Sequence, residues 1–151
     1  MQDEASTSDQ QPGVGVLMYV AARALEVRAY DAVVAAGASD ITPAQARLMA
    51  QIDPHGTRVV TLAARARTTK QSATSLVDQL ERTGYVERVP DPHDGRAKLV
   101  RLTPRARAVG DVADAAVADA LAEWREHLGP TRMRGLEETM RLLRQITDPW
   151  A

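Results

Sequence analysis

"LVDQLERTGYVERVPDPHDGRAKLVRLT", Leu76–Thr103, passes from a helical apolar rhythm into two short β-prone runs. Leu76, Val77 and Leu80 continue a stripe begun by Ala73, and Gly84 stops it. "YVERV" and "AKLVRLT" then read as the strands of a hairpin joined by "PDPHDGR". On that connection Asp94, Gly95 and Arg96 stand together, where a plain turn would need only the glycine. An arginine on a hairpin tip suits a narrow minor groove, and Asp94 is expected to accept from its guanidinium and hold it outward. Lys98 and Arg101 would flank it near phosphates. The same residues also fit an ordinary surface hairpin with an exposed ion pair.

Working back toward the N-terminus, "RTTKQSATSLVDQLERTG" supplies the helix before the hairpin. Thr68 or Thr69 can cap it, and Thr68 with Gln71 fits the capping-box spacing. At 100° per residue, the Ala73, Leu76, Val77 and Leu80 stripe leaves Gln71, Thr74, Ser75, Asp78 and Arg82 on the opposite side. Lys70 and Ser72 lie at its start and margin. Between Arg65 and Val77 there is no acid, against the usual preference for Asp or Glu in a first helical turn. That departure suits a helix whose N-terminus meets phosphates, so Thr69, Lys70, Gln71, Ser72, Thr74 and Ser75 are the candidate contacts. A solvated amphipathic helix remains the alternative.

"VVTLAARA" (59–66) gives a short helix just upstream. Two helices joined by a tight turn and followed by a hairpin make a winged helix-turn-helix. Outside it, Leu17, Val20, Ala21, Ala24, Leu25 and Val27 mark a long first helix closed by Gly37. Thr42-Pro43 opens a second, and "DPHG" is a turn cluster after it. Thr103-Pro104 opens a long alanine-rich helix, Gly129-Pro130 breaks it, and Met133, Leu136, Met140 and Leu143 stripe a last one. The fold class is therefore mainly α with a small β-hairpin wing. Expected boundaries are a disordered tail at 1–13, a dimerisation helix at 14–37, the winged unit at 38–103 and C-terminal dimerisation helices at 104–151. The terminal stripes can bury one another across a two-fold axis or pack within one chain.

Charge agrees with a polyanion partner. The chain carries a net charge of -1, yet residues 43–103 hold ten Lys/Arg against six acids, a local excess of +4.

Here the residues resemble a known family. Val59–Thr103 is similar to the MarR family of bacterial transcriptional regulators, whose wing carries Asp, one residue, Arg, then a strand ending in Leu-Thr. Asp94, Arg96 and Leu102-Thr103 occupy those places. The resemblance implies a homodimer on palindromic double-stranded DNA, usually a repressor released by a small ligand. It also implies that Arg96 enters the minor groove with Asp94 orienting it. Small lipophilic or aromatic effectors are typical of such proteins, and Met18, Tyr19, Tyr30, Met49 and Trp124 can line a cavity or simply form core.

Other classes find less support. With no Cys, disulfides and thiol-based sensing are excluded. His55, His93 and His127 have no metal-ligand spacing, and Asp31, Asp40 and Asp53 form no pattern beyond solvated surface. No nucleophile–base pair or phosphate loop marks an enzyme, so neither catalysis, a metal nor a cofactor is expected. The beginning, "MQDEASTSDQQPG", is not signal-like, and a soluble cytoplasmic protein without a membrane partner is expected. A winged-helix module that binds a protein instead of DNA is the competing reading. It would place acids or an apolar patch where Lys70, Gln71, Thr74 and Ser75 stand.

Overall fold

The structure, a computed structural model describing residues 11–150, contains six helices and one hairpin in the expected order. The first ten residues of the expected tail lie outside the described residues. Helix α1 spans Val14–Ala35, α2 Pro43–Met49, α3 Val59–Arg65 and α4 Lys70–Arg82. Strands β1 (Val86–Asp91) and β2 (Asp94–Leu102) follow, then α5 (Pro104–Leu128) and α6 (Pro130–Thr147).

Local chemistry explains the starts of α2, α4 and α5. Thr42 accepts from the Gln45 N–H at 3.2 Å, while the Gln45 side chain accepts from the Thr42 N–H at 2.8 Å, a complete capping box. Pro43 and Pro104 each occupy a first-turn position where no N–H is needed. At α4 the cap is Thr69, whose Oγ1 accepts from the Ser72 N–H at 3.0 Å; the Thr68–Gln71 box is not the one used. The turn between α3 and α4 passes through Arg67, at φ 48° the one non-glycine residue with positive φ among those described.

The core lies inside the winged unit. Ile41, Leu48, Leu62, Val77, Leu80, Tyr85, Val86 and Val100 are almost wholly buried where α2, α3, α4 and the hairpin converge. Strand β1 packs on α4 and β2 on α5. A third rung joins the sheet just before α3: Thr57 and Val100 exchange both backbone bonds at 2.9 Å. A two-stranded hairpin is marginal alone, so this rung and the burial of Val86 and Val100 hold its base. Gly56 makes the rung possible. Its φ is 102°, and a Cβ there would stand 3.0 Å from the Leu99 Cβ and 3.2 Å from the Val100 carbonyl. Gly56→Ala is expected to cost about 1–3 kcal/mol in chemical denaturation, through the left-handed backbone and the clash together.

One expectation about the hairpin is corrected. The tight turn is Pro92-His93, and Asp94, Gly95 and Arg96 already belong to β2. Pairing runs from Val86–Leu102 to Pro90–Lys98 and, past an irregularity, closes at Asp91–Asp94. The strands extend further than alternation suggested, because ladder bonds and a buried Asp91 outweigh the turn propensity of the charged residues.

The terminal helices contrast with this core. Along α1 only Val33 is buried, and along α6 only Met133. Val14, Val16, Leu17, Tyr19 and Val20 on α1, with Leu136, Met140, Leu142 and Ile146 on α6, are exposed. Of the expected α6 stripe, Leu143 is half-buried, while Leu142 and Ile146 are the more open. Within the chain α1 packs along α5, with Arg28 gripping Glu123 through two bonds of 2.7 and 3.0 Å.

Candidate nucleic-acid interface

Helix α4 buries Ala73, Val77 and Leu80 completely, and its opposite face is open. Lys70, Gln71, Thr74, Ser75, Asp78 and Arg82 line one shallow surface there, in the arrangement that the 100° rotation dictates. The candidates differ in what their polar groups already do. Thr69 caps the helix and donates to Ser72 Oγ at 2.8 Å, and the Thr74 hydroxyl donates to the Lys70 carbonyl at 2.8 Å. Among the described residues neither the Lys70 ammonium nor the Gln71 amide has a partner. These two remain free to meet a phosphate or a base edge.

Acids on this helix are tied back. Arg88 of β1 bonds Asp78 and Glu81, so the negative charge that begins at the third turn of α4 is answered from the hairpin. The first two turns hold no acid. The helix N-terminus, Lys70 and the exposed Arg67 therefore give this end of the molecule a positive field.

On the hairpin, Arg96 and Lys98 stand on β2, with Arg96 exposed and Lys98 on the same strand two residues beyond. Asp94 does not hold the Arg96 guanidinium. Its Oδ1 accepts from the Arg96 backbone N–H at 3.1 Å, and its Oδ2 accepts from Arg58 at 3.3 Å. Asp91 takes the stronger grip on Arg58, with its Oδ2 at 2.6 and 2.8 Å from two guanidinium nitrogens. The His93 N–H and Arg58 together hold the Asp91 carboxyl below its ordinary range. Arg101, by contrast, is paired across the strands with Glu87 at 2.9 Å.

At the base of the unit, three segments meet on a buried phenol. The Tyr85 hydroxyl donates to Asp40 Oδ1 at 2.6 Å, and the Arg105 guanidinium lies 4.2 Å from the Tyr85 ring centre. Arg105 also reaches Asp40 at 3.1 Å and the Thr83 carbonyl. This joins the linker after α1, the end of α4 and the start of α5. The Tyr85 bond, with Arg105 adding to it, holds the Asp40 carboxyl below its usual range. Tyr85→Phe is expected to cost about 1 kcal/mol at neutral pH, the low end for a charge-assisted bond because water reaches Asp40. Asp40 is ionised in both folded and unfolded chains well above the ordinary Asp value of about 4, so its contribution is complete there. It is lost as pH falls through the depressed folded value, and the gap between wild type and variant should close in acid. Denaturation midpoints at pH 7 and pH 3 check this.

Residues 39–97, from the linker after α1 into β2, match the MarR family. In its winged unit the chain is thus similar to the MarR family. It is 33% identical over 94 residues to the transcriptional activatory protein BadR of Rhodopseudomonas palustris, a match covering 62% of this chain. That match spans 53% of BadR, about half its length. Wild-type MarR of E. coli superposes with a TM-score of 0.68 at 23% identity, covering 89% of this chain and 98% of that one. CouR from Rhodococcus jostii RHA1, bound to p-coumaroyl-CoA, does so at 0.67 and 24% identity, covering 99% of each chain. The mainly helical MarR fold thus extends beyond the matched segment.

Within this fold the expected cavity residues separate. Tyr30 donates its hydroxyl to the Ile41 carbonyl at 2.8 Å, and Met49 is in the core. Met18 and Tyr19 are exposed. Of the five, Trp124 lines a groove of about 460 Å³ with Val20, Ala24, Val27, Arg28 and Ala120 between α1 and α5. Sequence reading missed Arg58 and Arg88 as residues that tie back the acids of the candidate interface. Arg58 acts through partners more than thirty residues away, Arg88 through helix–strand partners seven and ten residues back, and no periodicity marks either.

Proposed function

We propose that the chain is a homodimeric, sequence-specific transcriptional regulator that binds double-stranded DNA through α4 and the hairpin wing. The observation that carries this is the open, acid-free first half of α4, with Lys70 and Gln71 unpartnered. Thr69, Lys70, Gln71, Ser72, Thr74 and Ser75 are assigned to the major groove, where the helix N-terminus lies nearest base edges and phosphates. Arg96 is assigned to the minor groove, Lys98 to a flanking phosphate, and Asp94 to the backbone that carries Arg96.

Residues 38–103 form the DNA-binding domain in this reading, and 14–37 with 104–151 the dimerisation helices. The uncovered apolar side chains of α1 and α6 support that division. Of the exposed large apolar residues described, none lies on α4, which disfavours a protein-binding role for that helix. A two-fold pair would read a palindrome with half-sites about ten base pairs apart.

We assign repression released by a small lipophilic or aromatic effector, with the groove at Trp124 supporting an apolar ligand. BadR is named an activator, so the position of the operator relative to the promoter decides the sign of regulation. The site of action is the cytoplasm; among the described residues no helix is long and apolar enough to cross a membrane.

The test is binding of purified protein to the duplex upstream of its own gene against a scrambled duplex, over a salt series. Selective binding with a steep salt slope is the expected result. Failure to bind either duplex at low salt would overturn the reading.

A further inference from the structure

Arg58 is the residue just before α3, more than thirty positions from the hairpin turn it touches. Its Nε and one terminal nitrogen converge on Asp91 Oδ2 at 2.8 and 2.6 Å, and that terminal nitrogen also meets Asp94 Oδ2 at 3.3 Å. The Asp91 side chain is 6% exposed. Its other oxygen accepts from the His93 N–H at 2.9 Å, inside the two-residue turn. Asp94 Oδ1 in turn accepts from the Arg96 N–H at 3.1 Å. An unbroken series of bonds therefore runs from the start of α3, through both ends of the turn, to the backbone of Arg96.

The need for such a tie follows from the rest of the hairpin. Its base is held by Val86, Val100 and the Thr57 rung, but its tip carries Pro92, His93, Gly95 and Arg96 and no buried apolar side chain. A two-stranded tip without a core of its own is free to swing. A long arginine on a moving tip loses more freedom on binding than one on a fixed tip. Arginine suits the tie because its planar fork bonds two carboxylates at once without losing its charge.

We propose that Arg58 is the positioning residue of the wing, clamping Asp91 and Asp94 so that Arg96 is presented at a set distance from α4. This rests on the reading of the wing as a DNA contact. The clamp makes an unusual demand: Asp91 is a negative charge near the nucleic acid, yet deleting it should weaken binding.

The experiment compares wild type, Arg58→Ala, Arg58→Lys and Asp91→Asn on one duplex selected by the wild type. Hydroxyl-radical cleavage reports the outer minor groove, and guanine methylation reports the major groove under α4. Asparagine keeps the size and hydrogen-bonding oxygen of Asp91, so this variant is expected to fold, with thermal denaturation as the check. Both Arg58→Ala and Asp91→Asn should lose outer minor-groove protection and bind about tenfold more weakly, while major-groove protection persists at saturating protein. Arg58→Lys, which retains charge without the fork, should not restore the minor-groove protection.

Asp91→Asn binding as tightly as wild type, with Arg58→Ala weakened, would overturn the proposal and make Arg58 a direct phosphate contact. Equal loss of both protections alongside a lowered melting temperature would overturn it in favour of a purely structural pair. If wild type itself gives no outer minor-groove protection, the wing reading fails first, and is seen to fail separately.

Discussion

Leu142→Asp combined with Ile146→Asp is expected to leave the winged unit folded and the protein monomeric, with duplex binding lost. Both side chains sit one turn apart on α6, 65% and 84% exposed in the single chain, so neither supports its core. Burial of each against a second copy is worth about 1.5–3 kcal/mol, and two-fold symmetry repeats every contact. Replacing them with carboxylates removes that gain and sets unpaired charges in an apolar interface, which costs several kcal/mol more. A monomer would hold one half-site by one unit and lose the gain of simultaneous engagement, which reaches about a hundredfold or more. Sedimentation equilibrium with circular dichroism separates the outcomes. A persistent dimer would place the interface away from α6, and lost helicity would mean that the residues serve the fold.

Arg96→Ala is the second large effect. Arg96 is exposed on β2, its backbone is held by Asp94, and its guanidinium has no carboxylate partner among the described residues. The side chain can be removed without breaking a native contact, so any change in affinity reports the nucleic acid. Loss of one groove-bound arginine costs about 1–3 kcal/mol, and a dimer loses two. The slope of log affinity against log salt should also fall by about one unit for each arginine that neutralises a phosphate. Titration of a fluorescent duplex measures both. Unchanged affinity and slope would remove the wing from recognition.

What the sequence revealed follows the range of the forces involved. The α2 cap at Thr42-Pro43, the Ala73–Val77–Leu80 stripe and the stop at Gly84 are local, set by neighbours within a turn or two, and were legible. The face presented by Lys70, Gln71, Thr74 and Ser75 follows from that stripe by rotation alone. Where Asp94 and Arg96 sit was not legible, because strand register depends on cross-strand partners rather than on the residues' own turn preference. Asp94 was expected to orient the Arg96 guanidinium, and Arg58, from the start of α3, supplies the partner instead. The Tyr85–Asp40–Arg105 junction was hidden for the same reason, since it joins three segments far apart in the chain. Asp40 read as plain surface until the fold placed a buried phenol beside it.

Selection from a random duplex library with the purified protein tests most directly whether this chain reads DNA as a two-fold pair. The expected result is an enriched inverted repeat with half-sites about ten base pairs apart and A·T-rich positions where the wings would reach the minor groove. Enrichment of no sequence, or of a single site without two-fold symmetry, would contradict it.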